Sequence, residues 1–280
     1  MGHVECDNVM DEPGPPPPGL GAAKMPVVPS VAPAIELLPE PDGGRRFTMD
    51  GRVRLGDVDR NGRMRLDATA RLLQDVATDD ASDAGLDRRF GWLVRRSLIE
   101  TRVAATIGEP LVVATWCAGT GRSWAERRTR ITGERGAAID AVSLWVQIDI
   151  ESGRPTRLAS DFVDVYGPTA GGRTVTARLA LPAPGAESRS ESGWTIRRTD
   201  LDPFGHVNNA ATWAFLEEVA RLDETSRVGR AEMEYLQPVE PGDAGIDMVV
   251  ERADSSTTAW LVTASTTLAA ARWSGSFSAG

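Results

Sequence analysis

From Arg45 onward the chain alternates short apolar runs with Gly- and Pro-bounded breaks. Leu93 to Val103, Leu111 to Cys117, Trp124 to Ile131 and Ala141 to Ile150 have strand character. Ala231 to Gln237, Ile246 to Val250, Ala259 to Ala264 and Leu268 to Trp273 repeat the series. Ahead of each series stand a short strand (Phe47 to Leu55; Trp194 to Arg198), an Asp/Gly turn, and a stretch whose apolar residues recur three and four apart. Those residues are Leu66, Ala70, Leu73 and Ala77 in the first half and Trp213, Leu216, Val219 and Leu222 in the second, a spacing that predicts an amphipathic helix. A strand, a helix and about four further antiparallel strands, written twice, predict an α+β protein in which curved antiparallel sheets wrap central helices.

The two halves are copies. Val53-Arg54-Leu55-Gly56-Asp57-Val58-Asp59-Arg60-Asn61-Gly62 aligns with Ile196-Arg197-Arg198-Thr199-Asp200-Leu201-Asp202-Pro203-Phe204-Gly205 at an offset of 143, since 196 − 53 and 205 − 62 agree. The alignment continues without a gap into the helix: Ala68 over Ala211, Leu72 over Phe215, Leu73 over Leu216, Val76 over Val219. Arg154 to Ser192, rich in Gly, Pro and Ser after Gly167, reads as the connection.

Composition narrows the picture. Ten of the 18 prolines fall in residues 1–44, which carry seven acids and one base, so this segment predicts a disordered acidic tail. The charge of -9 is unevenly spread: residues 45–136 hold 18 Arg and 13 acids, residues 137–280 hold 12 Arg and 20 acids. No basic run is interleaved with aromatics, which argues against nucleic acid as a partner. No uninterrupted apolar stretch is long enough to span a bilayer and no signal-peptide pattern opens the chain, so no membrane partner and a cytoplasmic location are expected. With two cysteines and two histidines there is no zinc-finger or disulfide framework, and neither a metal nor a cofactor is expected.

Outside the tail the single histidine is His206, four residues after Asp202 in Asp200-Leu201-Asp202-Pro203-Phe204-Gly205-His206-Val207-Asn208-Asn209. A carboxylate and an imidazole at a strand-to-helix turn set a general base beside free helix N–H groups, which can polarise a carbonyl and stabilise an oxyanion. Asn208 and Asn209 suit helix capping. This is equipment for acyl transfer. The segment resembles the hotdog thioesterases, and the duplicated layout resembles the acyl-ACP thioesterase family. Trp92-Leu93-Val94-Arg95, Thr115-Trp116, Ser143-Leu144-Trp145-Val146 and Arg154-Pro155 extend the likeness over residues 45 to 280.

The resemblance implies two tandem hotdog domains, 45–166 with a degenerate site and 193–280 with the catalytic one, joined by a linker over 167–192 behind the tail 1–44. It implies hydrolysis of fatty acyl thioesters, preferentially acyl-ACP, with Asp202 and His206 catalytic and Gly205, Asn208, Asn209 and Asn61 positioning substrate or oxyanion. Acyl-CoA thioesterase, hotdog dehydratase or hydratase, and non-catalytic acyl-binding protein stay open. The family pattern sets Asn two residues after the Asp, where this chain has Phe204, and the plant members' Glu-Cys pair falls here on Pro238 and Val239. In the first copy Arg63 replaces the histidine and Asn61 takes the slot of Phe204. The duplication supplies the pair that single hotdogs obtain by dimerising, so monomer and homodimer are both compatible.

Among other groups, Glu217 and Glu218 read as a solvated helix face, Glu240 as a loop charge, Cys117 as a buried inert thiol, and Gly119-Thr120-Gly121 as a hairpin. An acidic carrier protein calls for a basic surface, for which Arg88, Arg89, Arg95 and Arg96 are candidates; pairing with Asp79, Asp80, Asp83 and Asp87 is the competing expectation.

Overall fold

β1 (Arg46–Arg52) alternates exposed and half-buried side chains throughout, the pattern of a strand at a sheet edge with one face turned to the core. It is the first of ten strands in the computed structural model, which describes residues 35–86, 91–220, 229–240, 245–253 and 255–274. After α1 (Leu66–Asp83) come β2 (Gly91–Val103), β3 (Pro110–Thr120), β4 (Trp124–Gly133) and β5 (Ala138–Ile148), then α2 (Ser160–Ala170). The second half holds β6 (Arg189–Trp194), α3 (Asn209–Ala220), β7 (Arg230–Tyr235), β8 (Ile246–Arg252), β9 (Thr257–Val262) and β10 (Thr267–Ser274). No helix among the described residues is long and apolar enough to cross a membrane.

The strands form one large antiparallel sheet in the order β1-β3-β4-β5-β2-β7-β10-β9-β8-β6. Read inward from either edge the connectivity is the same. At the middle β2 and β7 pair antiparallel, Ser97 opposite Met233 and Ile99 opposite Ala231. α1 and α3 pack against each other on one face. Leu73 and Val76 of α1, Trp213 and Leu216 of α3, and Ile99, Ile131, Met233 and Met248 of the sheet are buried in one apolar cluster that runs through both halves. Each such aliphatic side chain contributes about 1.5–3 kcal/mol by leaving water.

Three expectations change. α2 occupies residues assigned to the end of the first domain and the start of the linker. Its buried Phe162, Tyr166 and Ala170 recur every four residues, but Gly167 and Pro168 read as breakers; the helix ends only at Gly171, whose φ of +57° suits glycine. β6 starts at Arg189, five residues before the predicted Trp194, and Arg198–Asp200 forms a 3-10 turn. Residues 35–44, assigned to the tail, include groups that contact the body. The carbonyl of Ile35 accepts a hydrogen bond from Arg230, and Glu40 pairs with Arg46 and Arg130. Residues 1–34 lie outside the described residues, as do Leu222 and Asp87 to Arg89.

The connection after α2 is a strap along the sheet face opposite α1 and α3. Val175 accepts from Trp124 Nε1 (2.9 Å) and donates to the Thr120 carbonyl (3.0 Å). Arg96 reaches the Arg178 carbonyl (3.5 Å), Glu234 accepts the N–H groups of Ala180 and Leu181 (2.6 and 3.1 Å), and Pro182 accepts from Trp260 Nε1 (2.6 Å). The strap lies so close over β3 that a Cβ on Gly119 would stand 2.6 Å from Val175 Cγ1. These bonds give the strap's backbone groups partners as it crosses from one half of the sheet to the other.

Candidate active site

The two Asp/Gly turns match bond for bond. Asp59 N–H donates to the Arg63 carbonyl at 2.8 Å, and Asp202 N–H to the His206 carbonyl at 2.8 Å. Gly62 and Gly205 each return a 3.0 Å bond to the Asp carbonyl, at φ of +74° and +84°, which only glycine adopts without strain. Arg54 N–H donates to Asp57 and Arg197 N–H to Asp200, both at 2.8 Å. Small β-bridges, Val58 to Met64 and Leu201 to Val207, close the turns. The sequence offset of 143 is thus also a structural one.

Within this shared frame the side chains differ. Asp59 Oδ1 accepts the N–H groups of Asn61 and Arg63 (2.8 and 2.9 Å), and Oδ2 pairs with Arg63 Nε at 3.2 Å. Burial works to raise this carboxyl, but the two N–H groups and the guanidinium outweigh it and hold Asp59 below the usual range. Asp202 Oδ1 likewise accepts from Phe204 and His206 N–H (2.9 and 3.1 Å). Among the described residues no cation pairs with it. The His206 ring, half-buried, makes no hydrogen bond among the described residues. Asp202 and His206 therefore stand together on one turn with uncommitted groups, while the equivalent pair in the first copy is consumed by its own ion pair.

Asn208 caps α3, its Oδ1 accepting Ala210 N–H at 2.8 Å, as expected from the sequence. The carbonyl of Asn209 accepts from Tyr235 Oη (3.3 Å), which itself accepts from Trp213 Nε1 (2.9 Å); burial pushes the Tyr235 phenol up. Phe204 is 82% exposed at the rim of the turn. Asn61 is exposed on its own turn and no hydrogen bond joins it to Asp202 or His206. Val239 uses its carbonyl to fix the turn, accepting Val207 N–H at 2.9 Å. Among the described residues no three His, Cys, Asp or Glu side chains gather as a metal-binding group.

Glu217 is not a solvated charge. It crosses from α3 to the N-terminus of α1, where Oε1 accepts Leu66 N–H at 2.9 Å and Oε2 is buried without a partner. The signal was its place four residues after the buried Trp213, on the same stripe. Burial, with Asp67 nearby, raises Glu217 from 4.5 to about 7 against the pull of the helix N–H groups. The folded chain then holds a proton that the unfolded chain releases, so stability falls as pH rises through that window. The Tm advantage of Glu217→Gln over wild type, read by calorimetry, should grow from about pH 4.5 to about pH 7 and level off above. A difference that stays flat across the window would contradict this assignment.

A cavity of about 160 Å³ opens in the first half between α1, α2 and strands β2 to β5, lined by Ala77, Ala81, Trp92, Ala125, Trp145 and Phe162 among others. For scale, an apolar cavity of about 150 Å³ holds benzene. Its lining includes no residue of the Asp202 turn. Two of its lining residues, Arg127 and Tyr166, are held from behind by buried Asp80, which accepts from Arg127 Nη1 (2.6 Å), Tyr166 Oη (2.9 Å) and also Arg45 Nε (2.8 Å). Cys117, also in the lining, is buried and its thiol is pushed up by that burial, as expected of an inert group.

The basic surface expected on the first copy is partly spent inside. Arg95 donates to the carbonyls of Tyr235 and Leu236 (2.7 and 3.1 Å), tying β2 to the end of β7, and Arg96 is buried under the strap. Arg88 and Arg89 lie outside the described residues. Asp80 and Asp83 are both paired with Arg45.

Comparison with known proteins gives the family. The sequence model of the acyl-ACP thioesterase N-terminal domain matches residues 44–166, and that of the C-terminal domain matches residues 185–273. The uncharacterized protein Rv2001 of Mycobacterium tuberculosis is 28% identical over 211 residues, 75% of this chain and 84% of that one. Among solved structures, an acyl-ACP thioesterase from Bacteroides thetaiotaomicron aligns with a TM-score of 0.68 at 19% identity, over 82% of this chain and 98% of its own. The 12:0-ACP thioesterase from Umbellularia californica aligns with a TM-score of 0.66 at 18% identity, over 82% and 97%. At such identities the structures speak for a common hotdog-type fold, and the two domain matches speak for descent: this chain belongs to the acyl-ACP thioesterase family and is a thioester hydrolase.

Proposed function

We propose that the chain is built of two hotdog units, 45–166 and 193–280, and that it hydrolyses fatty acyl thioesters carried on ACP at the turn of the second. Asp202 activates water or attacks the thioester carbonyl, and His206 polarises it, with the N-terminus of α3 stabilising the oxyanion. Gly205 and Asn208 hold that turn and helix end in shape. The first unit, its own turn closed by the Asp59–Arg63 pair, serves the acyl chain through the cavity beside α1. The observation that carries this reading is the one-sidedness of a turn otherwise repeated bond for bond.

The test is thiol release from medium- and long-chain acyl-ACP and acyl-CoA. Release from acyl-ACP in preference to acyl-CoA is expected; no release above blank from either carrier overturns the enzymatic reading. In that event the exposed Phe204 in the family's Asn slot favours a non-catalytic acyl-binding protein. ACP docking by charge predicts that kcat/KM for acyl-ACP falls several-fold on raising salt to about 0.5 M, where the Debye length is only a few ångströms. A small uncharged acyl thioester should be unaffected, and an equal response of both substrates would point to acyl-CoA as the carrier.

A further inference from the structure

The helix ends of the two copies are treated differently by the opposite helix. α1 opens at Arg65, whose side chain makes no capping bond, and its first N–H group is taken by Glu217 from α3. α1 and α3 correspond residue by residue at the offset of 143, and their burial agrees: Leu73 and Leu216 are buried, Gln74 and Glu217 half-buried, Asp75 and Glu218 exposed. The sheet halves meet as equivalent strands running antiparallel, and the helices pack on each other, so the relation between copies is two-fold and reciprocal. By that relation the counterpart of the pair formed by residue 217 and Leu66 is residue 74 with Asn209, since 217 − 143 is 74 and 66 + 143 is 209, although among the described residues no hydrogen bond joins the second pair. The residue there is a glutamine. Its carboxamide makes no hydrogen bond among the described residues.

We infer that Gln74 of the first copy is a positioning residue of the second copy's site, standing against the first turn of α3 and supplying an uncharged amide where the other copy has a carboxylate. The chemistry follows from that difference. A carboxylate at a helix N-terminus satisfies its N–H groups and cancels its positive end, so nothing remains to stabilise an oxyanion. That is the state of α1 above about pH 7, where Glu217 is deprotonated. A carboxamide leaves the end of α3 positive and adds N–H donors of its own for the thioester oxygen or the attacking water. The inference rests on the proposed hydrolysis at Asp202 and His206, and it deepens that reading by assigning a cross-copy contribution to the site.

Gln74→Glu should recreate the closed state at the working helix. At pH 8 kcat should fall at least about tenfold with KM nearly unchanged, as expected when oxyanion stabilisation is lost. The loss should be recovered relative to wild type as pH is lowered and the introduced carboxylate protonates. Gln74→Ala, which adds no charge, should lose less and show no pH dependence relative to wild type. In the Gln74→Glu protein the amide resonances of Asn209 and Ala210 should titrate with a shared midpoint that wild type lacks. Equal losses in the two variants at every pH, unchanged kcat in Gln74→Glu, or amide resonances that do not titrate would each overturn the inference. The resonance measurement needs no turnover, so it still decides the placement of Gln74 if wild type releases no thiol, a result that counts against the proposed function alone.

Discussion

Asp202→Asn is expected to lower kcat for acyl-thioester hydrolysis by about 10²-fold or more, the scale on which a general base contributes. The substitution is clean because the structural duty of Asp202 falls on Oδ1, which accepts the N–H groups of Phe204 and His206. An asparagine keeps that oxygen, so the turn persists while the charge goes. Asp59→Asn provides the internal comparison, since Asp59 holds the identical turn in the first copy. It should leave turnover near wild type, costing only the modest stability of a partly exposed ion pair with Arg63. Thiol release with purified variants, alongside thermal melts to show that both fold, makes the measurement. Equal losses at the two positions would mean that the copies contribute alike.

Asp80→Ala is the substitution with the largest expected effect on stability, about 3–5 kcal/mol, the cost of removing one partner of a buried charge cluster. Asp80 is 1% exposed and holds Arg45, Arg127 and Tyr166 together. Arg45 and Arg127 also lie over the Tyr166 ring, 5.8 and 5.5 Å from its centre. Without the carboxylate, Arg127 would lose its charged partner and keep the Thr115 hydroxyl at 3.3 Å and the Tyr166 ring. Because Arg127 and Tyr166 line the cavity, the loss should extend beyond stability and reduce selectivity between acyl chains. Denaturant unfolding reads the first effect and product profiles by mass spectrometry the second. A change below about 1 kcal/mol would show that the cluster is solvated.

The candidate site was legible to the extent that its groups are local. Asp202, Gly205, His206 and Asn208 lie within seven residues, and the turn that joins them is made by backbone bonds and one glycine, so spacing alone predicts it. Glu217 is not legible, for the opposite reason. Its partner, Leu66 N–H, is 151 residues away, and nothing in the neighbourhood of Glu217 announces a second helix end. The same holds for Arg95 and Arg96, which read as surface cations but are spent on carbonyls of β7 and the strap. Helix α2 was lost to its Gly167-Pro168 pair, since local propensity speaks against a helix that the packing of Phe162 and Tyr166 secures.

Periodicity and self-similarity in the sequence determined the strand series, both central helices, the duplication and the Asp/Gly turns, because each depends on interactions within a few residues or on a repeat written into the chain. Tertiary structure alone decided that β2 pairs with β7 to make one continuous sheet, that residues 171–188 cross its face as a strap, and that Glu217 closes the N-terminal end of α1. The physical reason is that these features are set by which surfaces must be buried together. Long-range pairing of that kind leaves no period in the sequence, only isolated polar residues whose partners become apparent once the chain has folded.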